Sequence, residues 1–202
     1  MYNIDITLLR DKSLKCRIKN RGRDMMKQRI WKVFYNELTK TDLLFKDLRV
    51  NDICVLAGIH RSTFYRHFED KYQLLEYGLS DLWQEYFLIG ESQKIKEPFQ
   101  ISEAFYQESK GRELINHHIL DEKFIDAVNQ FFRQKMKSDI SNELERQGSQ
   151  VLPVSLVSEF LIGVILSVEK WGKEQQPRPT SKELDNYYQK LVFQSLDLDL
   201  GE

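Results

Sequence analysis

A dense cluster of hydrogen-bond donors follows Gly58 in this chain. Over residues 61–67 these donors are Arg61, Ser62, Thr63, Tyr65, Arg66 and His67. Guanidinium, hydroxyl and imidazole groups of these lengths can reach base edges in a DNA groove and phosphate oxygens along its backbone. Phe64 and Phe68 recur at helical spacing, so we expect one face of the segment to be buried and the other to carry the donors. The pattern indicates noncovalent recognition of nucleic acid.

Two short helices joined at Gly58 must position these donors. Ile53, Cys54 and Ala57 give the first helix an apolar face, and the small side chain of Cys54 suits two helices that cross closely. Gly58 permits the left-handed backbone that such a tight turn uses. Ile59 then covers the same core from the second helix. This is the layout of a helix-turn-helix, whose second helix lies in the major groove.

The same segment resembles the tetracycline-repressor (TetR) family of transcriptional regulators. The resemblance rests on Ala-Gly-Ile-His-Arg-Ser-Thr-Phe-Tyr-Arg-His-Phe at residues 57–68, followed by Lys71 and a pair of leucines at 74–75, and it covers roughly residues 25–80. Residues 160–191, with Trp171-Gly172 and a Pro-rich turn, are similar in layout to the last two helices of many members. The resemblance implies a homodimeric DNA-binding repressor whose C-terminal domain senses an effector.

The resemblance also implies roles for individual residues. Three residues near the start of the second helix are expected to read bases, namely Arg61, Ser62 and Thr63. Three others are expected to hold phosphates, namely Tyr65, His67 and Lys71. Arg66 is open to either role, and Asn51 is expected to contact the DNA backbone from the preceding helix. Where members of the family often open that preceding helix with Thr, this chain has Val50 after Arg49, so one capping contact must differ.

The charge of the chain is divided along its length. Residues 1–72 hold 16 Lys and Arg against 9 Asp and Glu, a net charge of +7. Residues 73–202 hold 14 against 22, a net charge of −8, and the total of −1 conceals this division. A basic part joined to an acidic part is typical of a nucleic-acid reader attached to a domain that does not touch phosphates. The basic arm at 1–23 either binds phosphates or the minor groove, or is a solvated terminus.

Composition favours an all-α fold. The 202 residues are 41% apolar and contain only four prolines and nine glycines, which favours long helices over many-turned β structure. We predict a basic N-terminal arm at 1–23, a three-helix helix-turn-helix domain at 24–72 and a helical regulatory and dimerisation domain at 73–202. Apolar spacing predicts the first helix at 24–40, and a further helix capped by Asp70 and Gln73 that continues to about residue 89.

The second half of the chain predicts a partner and an effector. Residues 153–173 are apolar on nearly every side, so this helix is expected to bury one face in its own core and another in a partner subunit. The predicted homodimer interface is residues 156–173 and 181–196, packed as a four-helix bundle. Aromatic residues are candidates to line a pocket for a small apolar or aromatic effector, namely Phe87, Phe105, Phe124, Phe131 and Trp171. Candidate polar anchors are Arg112, Glu113 and His117, and plain core packing or solvent exposure is the alternative for all of these residues.

The chain carries no motif with a catalytic mechanism behind it, so we interpret it as a non-enzyme without cofactor or metal. Cys16 and Cys54 lack metal spacing, and adjacent His117 and His118 point about 100° apart on a helix. Cys54 is interpreted as a small buried residue, with a redox sensor as the alternative. No signal peptide is visible, so a cytoplasmic, nucleoid-associated protein is expected. The alternative function is a helical interaction module or co-regulator with weak or lost operator binding.

Overall fold

The computed structural model describes residues 25–40, 42–106, 110–148 and 152–196, without the side chains of 193–196. Within these ranges the chain forms helices and no strand, so the predicted all-α class is confirmed. The helices are α1 Met25–Lys40, α2 Val50–Ala57, α3 Arg61–Tyr65, α4 Lys71–Leu82, α5 Gln84–Phe87, α6 Glu91–Lys96, α7 Pro98–Tyr106, α8 Lys110–His117, α9 Glu122–Gln147, α10 Val154–Glu174 and α11 Ser181–Leu196. The predicted basic arm at 1–23 lies outside the described residues.

The helices group into two compact units. The first comprises the described residues of Met1–Leu88 and Glu108–Phe131, and the second those of Ile89–Gln107 and Phe132–Glu202. These units are defined by helix packing alone. The predicted boundary between a DNA-binding domain at 24–72 and a regulatory domain at 73–202 is a boundary of function, and it stays a prediction.

Close helix contacts in the first unit depend on two glycines. A Cβ atom on Gly78 of α4 would lie 2.1 Å from the ring of Trp31, which α1 places against it. A Cβ atom on Gly111 of α8 would lie 1.9 Å from the ring of Trp83. Larger residues at either position would have to displace a buried indole ring, so both glycines are required by packing.

The helix that follows the helix-turn-helix is shorter than its apolar spacing indicates. It ends at Leu82, because Trp83 has φ −103° and ψ 21°, and a single turn, α5, follows. The continuous helix predicted to residue 89 is therefore wrong, although Asp70 does cap it by accepting a hydrogen bond from the Gln73 N–H at 2.8 Å. The Gln73 side chain accepts from the Glu69 N–H at 2.8 Å, one residue earlier than expected.

The second unit is built around α10 and α11. The buried residues Leu161, Ile165 and Val168 of α10 share one hydrophobic cluster with Leu184 and Tyr188 of α11. A capping box opens α11: the Thr180 N–H donates to Glu183 at 2.8 Å and the Glu183 N–H donates to Thr180 Oγ1 at 3.3 Å. Such caps stabilise a helix by about 1 kcal/mol.

A buried carboxylate ties α11 to α7. Asp185 accepts hydrogen bonds from the backbone N–H of Phe99 at 2.9 Å and of Gln100 at 3.1 Å, in the first turn of α7. Carboxylates are stabilised at helix N-termini by free N–H groups and by the helix dipole. Burial raises the pKa of Asp185, while these hydrogen bonds oppose that rise.

A buried imidazole ties the turn after α8 to α1. His118 is fully buried, and its Nε2 lies 2.8 Å from the carbonyl oxygen of Leu38. Because a carbonyl only accepts, Nε2 carries the hydrogen and Nδ1 is bare. Among the described residues Nδ1 has no hydrogen-bond partner. Burial lowers the pKa of His118, and the neighbouring His117 lowers it further.

This arrangement predicts a loss of stability in mild acid. The unfolded chain takes up a proton on His118 below about pH 6.5, which the folded chain resists, so the free energy of unfolding falls as pH drops from there towards the lowered folded pKa. The loss is at most about 1.4 kcal/mol per pH unit. His118→Gln retains a donor for Leu38 but cannot titrate. Urea unfolding at pH 7.5 and 5.5 should show a larger loss in the wild type than in the variant, and equal losses would contradict this assignment.

Candidate nucleic-acid interface

The turn at Gly58 adopts the predicted geometry. Gly58 has φ 60° and ψ 44°, the left-handed conformation that glycine tolerates best. The Gly58 N–H donates to the Val55 carbonyl at 3.1 Å and the Ile59 N–H to the Cys54 carbonyl at 3.0 Å, which closes α2. Arg29 of α1 adds a hydrogen bond to the Ala57 carbonyl at 2.8 Å. The turn is therefore held from inside α2 and from α1.

The start of α2 is capped without the family's threonine. The Asp52 carboxylate accepts a hydrogen bond from the Arg49 N–H at 3.0 Å. This is the reciprocal half of a capping box, supplied by the third residue of the helix. With Val50 in place of threonine, the capping contact is thus supplied by Asp52, two residues later.

The predicted apolar face of the motif is buried. Ile53, Cys54, Ala57, Phe64 and Phe68 are each at most 3% exposed. Burial raises the pKa of the Cys54 thiol, which opposes the thiolate that a redox sensor needs. Cys54 therefore fits the interpretation as a small buried residue.

The opposite face of the motif carries the donors. The exposed members of the predicted set are Asn51, Arg61, Ser62, Tyr65 and Arg66, and Thr63 and His67 are half-buried. Arg61 donates a hydrogen bond to the Tyr65 hydroxyl at 3.3 Å, and its guanidinium carbon lies 5.8 Å from the centre of that ring. This hydrogen bond raises the pKa of Arg61 above its usual value. The Arg61 guanidinium therefore lies along the outer face of α3 and keeps its positive charge.

Lys71 is placed differently from the other predicted phosphate contacts. Its Nζ donates to the carbonyl oxygens of Phe45 at 2.7 Å, Lys46 at 3.1 Å and Leu48 at 2.8 Å. The same atom lies 4.6 Å from the centre of the Phe45 ring. Burial lowers the pKa of Lys71. Its ammonium is therefore directed into the loop between α1 and α2.

The structure brings together only some of the aromatic residues predicted to line a pocket. Phe87 and Phe131 are in ring contact, with their centres 6.0 Å apart. Phe124 is fully buried and packs against Phe45 and His118. The remaining two predicted lining residues are Phe105, which is half-buried, and Trp171, which is 44% exposed and contacts Tyr187. The effector site stays a prediction.

The predicted polar anchor Glu113 has a partner within the first unit. Glu113 accepts a hydrogen bond from the Tyr35 hydroxyl at 3.1 Å. Burial, together with Glu113, raises the pKa of Tyr35 to about 12. Arg112 and His117 are exposed.

Two residues of this region were missed by sequence reasoning. Arg29 holds the turn at Gly58, and Asp121 accepts a hydrogen bond from the Lys46 N–H at 2.8 Å. Their partners lie far along the chain, and neither residue stands in a local pattern that indicates the contact.

Comparison with known proteins agrees with this geometry. Residues 45–77, which include α2, Gly58 and α3, match the family model of the bacterial regulatory proteins of the tetR family. A TetR transcriptional regulator from Streptococcus agalactiae superposes with a TM-score of 0.51 at 25% sequence identity, over 88% of this chain and 98% of that chain. Over residues 45–77 the chain is therefore similar to the DNA-binding segment of the TetR family. The TetR family regulator PfmR from Thermus thermophilus is more distant, with a TM-score of 0.37 and 12% identity over 81% of this chain and 94% of that one. No curated protein matches the chain.

The family-model match and the likeness to the Streptococcus agalactiae regulator both favour DNA-binding transcription regulation as the function class. Across the described ranges, no helix is both long enough and apolar enough to cross a membrane.

Proposed function

We propose that this chain is a cytoplasmic repressor of the TetR family that binds a near-palindromic operator as a homodimer. The observation that carries the proposal is the outer face of α3, where Arg61, Ser62 and Tyr65 are exposed on a helix whose other face is buried. A protein-interaction module with lost operator binding would have no use for this set of donors. The alternative function, a helical interaction module or co-regulator, is therefore less well supported.

Within this proposal the donors divide their work by position. Residues at the start of a recognition helix enter the major groove, so Arg61, Ser62 and Thr63 are assigned to bases. Arg61 uses one N–H on Tyr65, and its remaining donors suffice for a bidentate contact to guanine. The residues assigned to the DNA backbone are Asn51, Tyr65 and His67, with Arg66 open to either role.

Replacing Arg61 tests the assignment to bases. Arg61→Ala should lower affinity for the preferred duplex by about 1–3 kcal/mol more than for a scrambled one, because a bidentate base contact is lost. Arg61→Lys is the matched control, since it keeps the charge without the planar fork of donors. It should lose discrimination while retaining most affinity for scrambled DNA. Mobility-shift titrations on both duplexes measure the ratio, and a ratio unchanged in Arg61→Ala would refute the assignment.

The dimer is supported by apolar side chains left exposed on α10 and α11. Leu156 is 57% exposed and Phe160 is 42% exposed, and Gly163 follows on the same face of α10. Trp171 of α10 contacts Tyr187 of α11, and both are exposed. Large apolar side chains exposed together on two neighbouring helices are typical of an interaction site. A two-fold related copy would cover it with the same surface, as near-palindromic DNA requires.

A substitution at Gly163 tests the interface without disturbing the subunit. A Cβ atom at this position meets no atom within 4 Å. Gly163→Leu should therefore leave the subunit folded, and stabilise α10 by up to about 1 kcal/mol, because glycine is a poor helix former. It should also weaken a dimer in which two α10 helices cross closely at Gly163. Sedimentation should give about twice 24.1 kDa for the wild type and a shift towards 24.1 kDa for the variant.

The control for Gly163→Leu is Ser155→Leu, which adds the same side chain at another exposed position of α10. This control should remain dimeric. A Gly163→Leu variant that stays as dimeric as the wild type would count against a crossing at this residue.

The proposal also includes release by a small apolar or aromatic effector. The support is the ring contact between Phe87 and Phe131. An effector would act by binding two conformations of the dimer unequally, one of which spaces the recognition helices correctly for the operator.

A further inference from the structure

The ammonium of Lys71 has its hydrogen-bond donors in use. A lysine ammonium carries three N–H groups, and Lys71 is within 3.1 Å of three carbonyl oxygens, those of Phe45, Lys46 and Leu48. It also lies over the Phe45 ring at 4.6 Å, a favourable place for a cation. To bind a phosphate, the Lys71 ammonium would have to give up its hydrogen bond to one of these carbonyl oxygens. That oxygen would then lose a hydrogen bond from a partly buried charge.

The same loop is held from a second side by Asp121. One oxygen of this buried carboxylate accepts from the Lys46 N–H at 2.8 Å. The other accepts from the Phe124 N–H at 3.2 Å, in the first turn of α9. Residues 45–48 are therefore held by Lys71 at the start of α4 and by Asp121 at the start of α9.

An aromatic contact fixes the loop at its centre. Phe45 is fully buried, and its ring centre lies 6.2 Å from that of Phe34, 5.2 Å from that of Tyr72 and 5.6 Å from that of Phe124. All three contacts are edge-on, the arrangement that aromatic pairs favour. Both the backbone of residues 45–48 and the side chain of Phe45 are therefore fixed.

The position of this loop determines where α2 begins. Leu48 is followed directly by Arg49, whose N–H bonds to Asp52, and by the first turn of α2 with Asn51. A displacement of residues 45–48 would move Asn51 and tilt the helix that supports the recognition helix.

We propose that Lys71 and Asp121 are positioning residues for DNA recognition, which act by fixing residues 45–48 and hence Asn51, and that Lys71 is not a phosphate ligand. This inference rests on the proposed function, which supplies the DNA. It replaces the phosphate role that the family resemblance implied for Lys71.

The salt dependence of DNA binding separates the two roles of Lys71. The probe is the duplex that the wild-type protein enriches most from a random-sequence pool. Lys71→Met should weaken binding about tenfold, equivalent to about 1.4 kcal/mol, with an unchanged slope of log affinity against log salt. A lost phosphate contact would instead reduce that slope by about 1. Lys123→Met is the control, because it removes an exposed positive charge that interacts electrostatically with Lys71. This variant should alter neither the affinity for DNA nor the salt slope.

Asp121→Ala gives the sharper test, because it removes a negative charge from a protein that binds a polyanion. Simple electrostatics predicts tighter binding, whereas loss of the hold on Lys46 predicts weaker binding with an unchanged salt slope. Asn51→Ala should cost less in the Lys71→Met background than in the wild type, because Asn51 is already displaced there. A general loss of stability would not produce this coupling at a temperature where every variant is folded.

Amide hydrogen exchange without DNA tests the hold directly. Exchange at Lys46 and in the first turn of α2 should accelerate in Lys71→Met and in Asp121→Ala, but not in Lys123→Met. A Lys71→Met variant with wild-type exchange and a slope reduced by about 1 would overturn the inference. If the wild type enriches no duplex, the proposed function fails, and accelerated or unchanged exchange still decides whether the two residues hold the loop.

Discussion

Burial of Phe64 and Phe68 determines which way the recognition helix faces. Both rings are buried in the core of the first unit, and they contact each other. With one face committed to this core, the donors between and beside the two rings must point outwards. The turn at Gly58 makes the burial feasible, because its left-handed backbone brings α3 across α2 within a few residues. The exposure of the donor face of α3 is thus a consequence of packing.

Buried polar groups then join segments that are distant in sequence. His118 reaches the Leu38 carbonyl, Asp121 reaches Lys46, and Asp185 caps α7 from α11. A buried polar group is costly unless it is paired, so each of these contacts selects one arrangement of the helices over alternatives with the same hydrophobic pattern. Lys71 belongs with this group because its ammonium satisfies three carbonyls of one loop.

Patterns in the sequence predicted those parts of the fold that depend on residues close together along the chain. The amphipathic spacing of α1, the cap at Asp70 and the turn at Gly58 depend on residues within a few positions of each other, and the structure confirms them. The break at Trp83 was missed because the apolar spacing continues through it. The contacts of Asp121 and Lys71 were missed because their partners lie 75 and 23–26 residues away, and a single sequence carries no signal for such pairs.

We propose that two copies of this chain read one DNA sequence through the outer faces of their α3 helices. The most direct test is selection of duplexes from a random pool by the purified full chain, followed by footprinting of the enriched sequence. Our account predicts an inverted repeat with half-sites about 10 base pairs or a multiple of that apart, protected on one side of the duplex by two copies of the chain. Failure to enrich any sequence, or tight binding of a single unrepeated half-site by a monomer, would contradict it.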